Sequence, residues 1–266
     1  MDYEDKIEEK LRRREYKLEK EQRYLRKRSE LDEVLEEVFD RVTLMTIYEL
    51  MNDGVIEDLY GVISTGKESR IYYARNKQGE ELAVKIYLVT SAEFKRNRLG
   101  YVVDDPRFKR IPGDFRKFIN LWAQRELKNL EEAYNAGVKV PKPYFVRRNV
   151  LGMQFLGVDG SRYPLLHEVE EDMDFNELYG KTLSVVADLY QKAGMVHGDL
   201  SQFNVMVTDG PEVYLIDLAQ AVGIKHPMAE ALLIHGLETL TRFFAKKGVD
   251  VEDLDTLMMF VKGGAE

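Results

Sequence analysis

The chain contains no cysteine. Disulfides, thiolate catalysis and a cysteine-ligated zinc site are therefore excluded. A cysteine-free chain suits a reducing compartment, and a cytoplasmic location is expected. Positive charge is not in excess either. With 39 Lys and Arg against 47 Asp and Glu, the net charge is -8, which argues against a mainly electrostatic nucleic-acid binder but leaves room for a local basic patch. No apolar run approaches the roughly 20 residues that cross a bilayer, so no membrane partner is expected. Charge from Asp2 onward leaves no visible secretory signal. Histidine is scarce, and His167, His226 and His235 stand isolated, which reads as structural or solvent-facing. What the chain does have is 44% hydrophobic and 11% aromatic residues over 266 positions. That is enough core for one large domain or two lobes with an extension.

Composition shifts mark four segments. Residues 1–30 interleave Glu with Lys and Arg around Ile7, Leu11, Leu18 and Leu25. This reads as a charged helical extension supported by i,i+4 pairs. Its basic clusters, Arg12 to Arg14 and Arg26 to Arg28, can meet phosphates. Residues 31–54 carry a helical apolar stripe that ends at Asn52-Asp53-Gly54, the pattern of a small helical cap. Residues 55–156 open with β-rich runs and turns and then give the clearest helix of the chain, 114–136. That helix has Phe115, Phe118, Ile119, Trp122, Leu130 and Tyr134 on one stripe and Gly137 as its stop. Residues 157–266 read as mainly helical, with helices near 175–194, 231–247 and 251–261. The highly charged stretch 91–113, with Gly100, Pro106, Pro112 and Gly113, reads as a long mobile loop with Thr90 and Ser91 as candidate self-phosphorylation sites.

The chemistry concentrates in His197-Gly198-Asp199-Leu200-Ser201-Gln202-Phe203-Asn204. Two short apolar runs follow, Val205-Met206-Val207 and Val213-Tyr214-Leu215-Ile216, and then Asp217. Polar and acidic residues between two such runs predict a loop at the mouth of a hairpin. His-x-Asp-x-x-x-x-Asn followed by an Asp is the catalytic and metal signature of protein kinases. An Asp can accept the proton of an attacking hydroxyl. An Asn carbonyl and a second carboxylate are hard oxygen ligands suited to a Mg2+ that also holds phosphate.

Upstream residues complete the pattern. Lys85 sits in Leu82-Ala83-Val84-Lys85, where alternation puts Ala83, Lys85 and Tyr87 on one face of a strand. Glu126 lies inside the apolar stripe of the 114–136 helix, and an acid on a packing face needs a partner; kinases pair such a glutamate with the strand lysine. Gly61-x-x-x-x-Gly66-Lys67 nearly spells a P-loop but fails as one, because Glu68 stands where Ser or Thr would hold the metal and a strand follows instead of a helix. The segment reads instead as a strand-turn-strand flap whose small residues let backbone N–H groups approach phosphates. Val150 to Leu156 reads as a buried strand entering a hinge, with Met153, Gln154, Phe155 and Leu156 placed to meet an adenine edge.

Together these residues resemble the RIO-type atypical protein kinases, over roughly residues 31–250 and most like the RIO-one branch. Ser64-Thr65-Gly66-Lys67-Glu68-Ser69 is similar to that family's nucleotide loop. The 197–204 stretch is similar to its catalytic loop, and Ile216-Asp217-Leu218-Ala219-Gln220 to its metal loop. The resemblance implies an α+β, two-lobed protein-kinase-like fold, with an antiparallel sheet and one helix in the N-lobe and a mainly helical C-lobe. It lacks the usual long substrate-binding segment, consistent with the absence of Ala-Pro-Glu after Asp217. It implies ATP with Mg2+ (or Mn2+), Lys85 on the α/β-phosphates, Glu126 paired with it, Asp199 as catalytic base, and Asn204 and Asp217 as metal ligands. Protein substrate or self would accept phosphate, and a small-ribosomal-subunit precursor is the implied partner. Two alternatives stay open. One is an ATPase switch with an aspartyl-phosphate on Asp217. The other is a small-molecule phosphotransferase, since His-Gly-Asp-Leu with a following Asn also looks like aminoglycoside and choline kinase loops.

Overall fold

A computed structural model describes residues 35, 38–89, 92–103, 105–108, 110–171, 173–210 and 212–264. The predicted helical extension 1–30, the start of the predicted cap, and Thr90 and Ser91 lie outside them. The chain divides into two compact units, 1–48 and 49–266, and the division falls within helix α1 (Arg41–Asn52). Asp40 caps α1: its carboxylate accepts from the Val42 and Thr43 N–H groups at 3.0 and 3.2 Å.

The second unit begins with a five-stranded antiparallel sheet. Its strands are β1 (Asp58–Thr65), β2 (Ser69–Arg75), β3 (Glu81–Tyr87), β4 (Pro143–Arg147) and β5 (Val150–Gln154), in the order β1-β2-β3-β5-β4. Strand β3 is central, and pairs Lys85 with Ile71 on one side and Leu151 on the other. Leu82, Val84 and Ile86 are buried on one of its faces, as the alternation predicts. The connection from β3 to β4 carries two helices, α2 (Ala92–Val103) and α3 (Phe115–Asn135). Asp114 caps α3 by accepting from the Lys117 N–H at 2.9 Å, and Gly137 stops it with φ of 81°.

Helix α2 corrects the loop expected over 91–113. Phe94 and Val102 are buried with Trp122, Phe118 and Ile119 of α3. The Arg98 guanidinium lies 5.8 Å from the Phe94 ring centre and 5.9 Å from that of Trp122. Charged residues thus cover the core here with their stems and planes instead of leaving it, which is why composition alone reads as loop.

Beyond β5 lie a short hairpin, β6 (Gly157–Val158) and β7 (Ser161–Arg162), and the long helix α4 (Phe175–Gln191). A second hairpin, β9 (Val205–Val207) with β10 (Val213–Leu215), directly follows the 197–204 stretch, and a small pair joins β8 (Met195–Val196) to β11 (Val222–Gly223). Helices α5 (Ala229–Lys246) and α6 (Leu254–Lys262) complete the core. Leu183, Leu189, Leu237, Leu240 and Phe244 pack there with Val205 and Leu215 of the hairpin. The three predicted C-terminal helices are therefore present.

Trp122 is the sole tryptophan and is buried against Phe94, Tyr101, Phe118, Arg98 and Arg125. Trp122→Ala is expected to lower unfolding stability by about 3–5 kcal/mol, read as a reduced urea midpoint by far-UV circular dichroism.

Candidate active site

The five-stranded sheet and the β9–β10 hairpin bound a cleft of about 260 Å³. Ser64, Gly66 and Ser69 of the flap, Ala83 and Lys85 of β3, and Met153, Gln154, Phe155 and Leu156 line one part of it. Phe203, Asn204, Met206, Ile216 and Asp217 line another. The predicted hinge thus falls on the cleft throughout. The flap does so only in part: Thr65 and Lys67 are exposed near its tip, and Glu68 turns away to Arg98, whose Nη2 reaches both carboxylate oxygens at 2.9 and 2.8 Å. Alternation around the turn points every second side chain outward.

Lys85 is 4% exposed and Glu126 fully buried. The Lys85 Nζ donates to Glu126 Oε1 at 2.8 Å and to Asp217 Oδ1 at 2.9 Å. Burial works against the ammonium, but the Asp217 and Glu126 carboxylates outweigh it and hold Lys85 above its ordinary range. Burial pushes the Glu126 carboxyl up, against the pull of Lys85. Asp217 goes the other way: Lys85 overcomes its burial and holds it below the ordinary aspartate range. Though deep in the fold, Asp217 keeps 44% of its side chain open to the cleft. Glu126 itself stays behind Lys85 as its partner.

Tyr87, two residues along the same face of β3, donates its hydroxyl to Glu126 Oε2, and its ring lies 5.1 Å from the Lys85 Nζ. Burial pushes the Tyr87 phenol well up, so it stays a donor. The alternation that singles out Lys85 also places Tyr87 beside it, but no spacing announces its bond to Glu126.

Asp199 stands beside the cleft, tied to it by Asn204. The Asn204 amide donates to the Asp199 carbonyl at 2.7 Å and to its Oδ2 at 3.3 Å. Burial of its inner side and then the charge of Asp217 hold the Asp199 carboxyl above its ordinary range. His197 is buried; its Nδ1 accepts from the Asp199 N–H at 3.3 Å, so the ring proton sits on Nε2 and is donated to the Ile216 carbonyl at 2.9 Å. Burial lowers the His197 pKa, which keeps this ring a neutral brace between the two loops. Gly198 has φ of 80°, and a Cβ there would lie 2.2 Å from the Gln220 carbonyl oxygen. Only glycine fits that turn.

Asn204 and Asp217 also suit a hard divalent ion. The Asn204 nitrogen is committed to Asp199, which leaves its carbonyl oxygen for a cation, and Asp217 offers a low-pKa carboxylate. Two protein oxygens fit a Mg2+ that keeps water and phosphate ligands. Among the described residues there is no group of three His, Cys, Asp or Glu to form an all-protein cage.

Sequence reasoning missed a second network. Arg125, fully buried beside Glu126, donates to the Ala219 carbonyl and, at 2.6 Å, to the Ala221 carbonyl. Asn129, one turn on, donates to the Leu218 carbonyl at 2.7 Å. Asp105 balances the charge, with its Oδ2 at 3.3 Å from Arg125 Nε and 2.7 Å from Arg107 Nη2. Burial lowers the Arg125 pKa to about 10, still charged at neutrality. A glutamate with an arginine before it in an apolar stripe was the only available signal.

Strand order, helix placement and a lysine–glutamate pair facing an Asp/Asn/Asp loop set define a protein-kinase-like fold. The RIO domain matches residues 70–257. Relatives include the RIO-type serine/threonine-protein kinase Rio1 of Haloferax volcanii, 40% identical over 230 residues, covering 86% of this chain and 78% of that one. Rio1 of Methanocaldococcus jannaschii is 34% identical over 253 residues, covering 94% and 84%. Human serine/threonine-protein kinase RIO1 is 36% identical over 230 residues, covering 85% of this chain but 40% of its own. The chain thus spans less than half the length of its human and Chaetomium relatives. A crystal structure of the Rio2 kinase–ADP/Mg2+–phosphoaspartate complex from Chaetomium thermophilum matches with a TM-score of 0.62 at 22% identity, over 82% of this chain and 65% of that one. The chain belongs to the RIO family of serine/threonine protein kinases.

Asp105 carries a pKa held down, against its burial, by the hydrogen bonds and charge of Arg107 and by the charge of Arg125. A depressed carboxylate contributes stability that is present above its unfolded pKa and lost as pH falls through the folded one. Asp105→Asn is therefore expected to be less stable than the parent at pH 7. The gap should narrow as pH drops below 3.8, the ordinary aspartate value, in urea titrations run across that window.

Proposed function

We propose that this chain transfers the γ-phosphoryl group of ATP to a Ser or Thr hydroxyl, on a protein substrate or on itself. The observation that carries this reading is Lys85, buried, paired at 2.8 Å with Glu126, and facing the same cleft as Asn204 and Asp217. The adenine would lie against Met153 to Leu156, and the Lys85 ammonium would meet the α/β-phosphates. Asn204 and Asp217 would hold Mg2+, which neutralises charge on the phosphates. Asp199 would orient the acceptor hydroxyl and take its proton. The acceptor oxygen bonds to the γ-phosphorus, the bond from that phosphorus to the β–γ bridging oxygen breaks, and ADP leaves with the electron pair. Flap, sheet and α3 would act by positioning, the main resource of phosphoryl transfer. The four segments 1–30, 31–54, 55–156 and 157–266 would serve as extension, cap, N-lobe and C-lobe.

A second reading has Asp217 itself as acceptor, giving an ATPase switch. Its exposed carboxylate at the cleft floor favours this, as does the phosphoaspartate of the Chaetomium Rio2 complex. In either case the physiological partner would be a small-ribosomal-subunit precursor, a role supported only by membership of the family. Among the described residues, no helix is long and apolar enough to cross a membrane.

Incubation with γ-labelled ATP and Mg2+ separates the readings. Acid-stable label on protein is expected for Ser or Thr transfer; label lost to hydroxylamine would mean an acyl phosphate and overturn it in favour of Asp217. Asp199→Asn is expected to slow transfer to a hydroxyl by about 100-fold or more while nucleotide affinity stays unchanged in equilibrium binding. Undiminished transfer by that variant would remove Asp199 from the proton-accepting role.

A further inference from the structure

The turn after Asp217, Leu218–Gln220, is held from three sides. Arg125 takes the Ala219 and Ala221 carbonyls, one on each side of Gln220. Asn129 takes the Leu218 carbonyl at 2.7 Å and shares that of Ala221 at 3.2 Å. On the third side the Gln220 carbonyl presses where Gly198 has no Cβ. The backbone of residue 220 is thus fixed relative to both α3 and the catalytic loop.

From that fixed backbone the Gln220 side chain reaches Asp199, its Nε2 donating to Oδ2 at 3.1 Å. Asn204 reaches the same oxygen at 3.3 Å. Both amides therefore converge on Oδ2, and among the described residues no hydrogen bond reaches Oδ1. The torsion that swings a carboxylate is broad and roughly two-fold, so an aspartate without such donors samples many orientations. Asn204 has a second partner in the Asp199 carbonyl, at 2.7 Å. Gln220 is the donor whose amide goes to the carboxylate.

We propose that Gln220 is a positioning residue: by pinning Oδ2 it directs Oδ1 of Asp199 at the acceptor hydroxyl and makes Oδ1 the atom that takes the proton. This rests on the phosphotransfer reading above and assigns the atom within it. The bonds made and broken are those already given. Gln220 moves no proton. Its effect lies in orientation, where displacements near 1 Å cost about 100-fold in rate.

The test uses the full chain with Mg-ATP and dephosphorylated casein as acceptor. Variants are Gln220→Leu, Gln220→Glu (similar in size but without the amide donor), Asp199→Asn, and Gln220→Leu combined with Asp199→Asn. Nucleotide affinity is read separately with a fluorescent ATP analogue. Gln220 is half-buried, so these variants are expected to fold, and thermal melts check this. Both single Gln220 variants should lose about 10- to 100-fold in kcat, with analogue affinity within about twofold of the parent. The combined variant should be no slower than Asp199→Asn, because orientation has no value once the proton acceptor is gone. Unchanged kcat in Gln220→Leu overturns the assignment. So does a loss of analogue affinity that parallels the loss of rate, since that is the mark of a general structural role. A parent that labels neither casein nor itself overturns the phosphotransfer reading, and the assignment with it.

Discussion

A buried ammonium organises this structure. Lys85 sits in the central strand of the sheet, almost without solvent, and cannot remain there charged unless carboxylates surround it. Two do, Glu126 from α3 and Asp217 from the loop after β10, both within 2.9 Å. Three elements far apart in the chain are therefore drawn to one point. Removing either acid would leave a strand cation with one partner in a low-dielectric setting, and removing Lys85 would leave two acids facing each other. Tyr87 finishes the account by donating to the remaining Glu126 oxygen. The centre sets two carboxyl groups against one ammonium, and Asp217, held below the ordinary aspartate range, tolerates a further cation beside it better than a further anion. This agrees with the proposal that Asn204 and Asp217, which both line the cleft, would hold a divalent cation.

Helix α3 makes the ion centre rigid. Arg125, Glu126 and Asn129 lie within little more than one turn and serve two different partners: Glu126 faces the sheet, while Arg125 and Asn129 face the turn after Asp217. A displacement of α3 would move Lys85 and the Asp217 loop together. The helix is fixed in turn by Trp122 and Phe118 against α2, and by Asp105, which follows α2 and meets Arg125. A buried guanidinium is costly. Here it satisfies backbone carbonyls that would otherwise be stranded in the interior.

Much of this could be read from residue order. Alternation in β3 puts Lys85 and Tyr87 on one face, and helical spacing puts Glu126 inside an apolar stripe, where an acid needs a partner and the strand lysine is the natural one. The hairpin flanked by Asn204 and Asp217, strand β5 and the three C-terminal helices followed from apolar runs and stops. What stayed hidden depends on contacts without sequence spacing. Arg125 and Asn129 recognise backbone carbonyls, which no side-chain pattern announces. Helix α2 hides because Arg98 covers aromatic rings with its guanidinium, so charge that suggests a loop in fact seals a core. Glu68 belongs to the nucleotide-loop motif yet spends its carboxylate on Arg98. A motif fixes the path of the backbone more firmly than the aim of each side chain.

Two positive φ values show why the 197–204 loop and the turn after Asp217 cannot be considered separately. Asp217 adopts φ of 59° and ψ of 62°, a left-handed conformation that a non-glycine residue holds only when its surroundings over-determine it. The surroundings are identifiable: Lys85 on its carboxylate, the Ile216 carbonyl just before it taken by His197, and the Leu218 and Ala219 carbonyls just after it taken by Asn129 and Arg125. Gly198, at φ of 80°, supplies the space into which the far end of that turn projects. The strained residue is thus the one exposed at the cleft floor, and the groups that hold it there are buried. Together they hold Asp217 in this left-handed geometry and keep its carboxylate on Lys85. Electrostatics and backbone conformation therefore stabilise each other at Asp217.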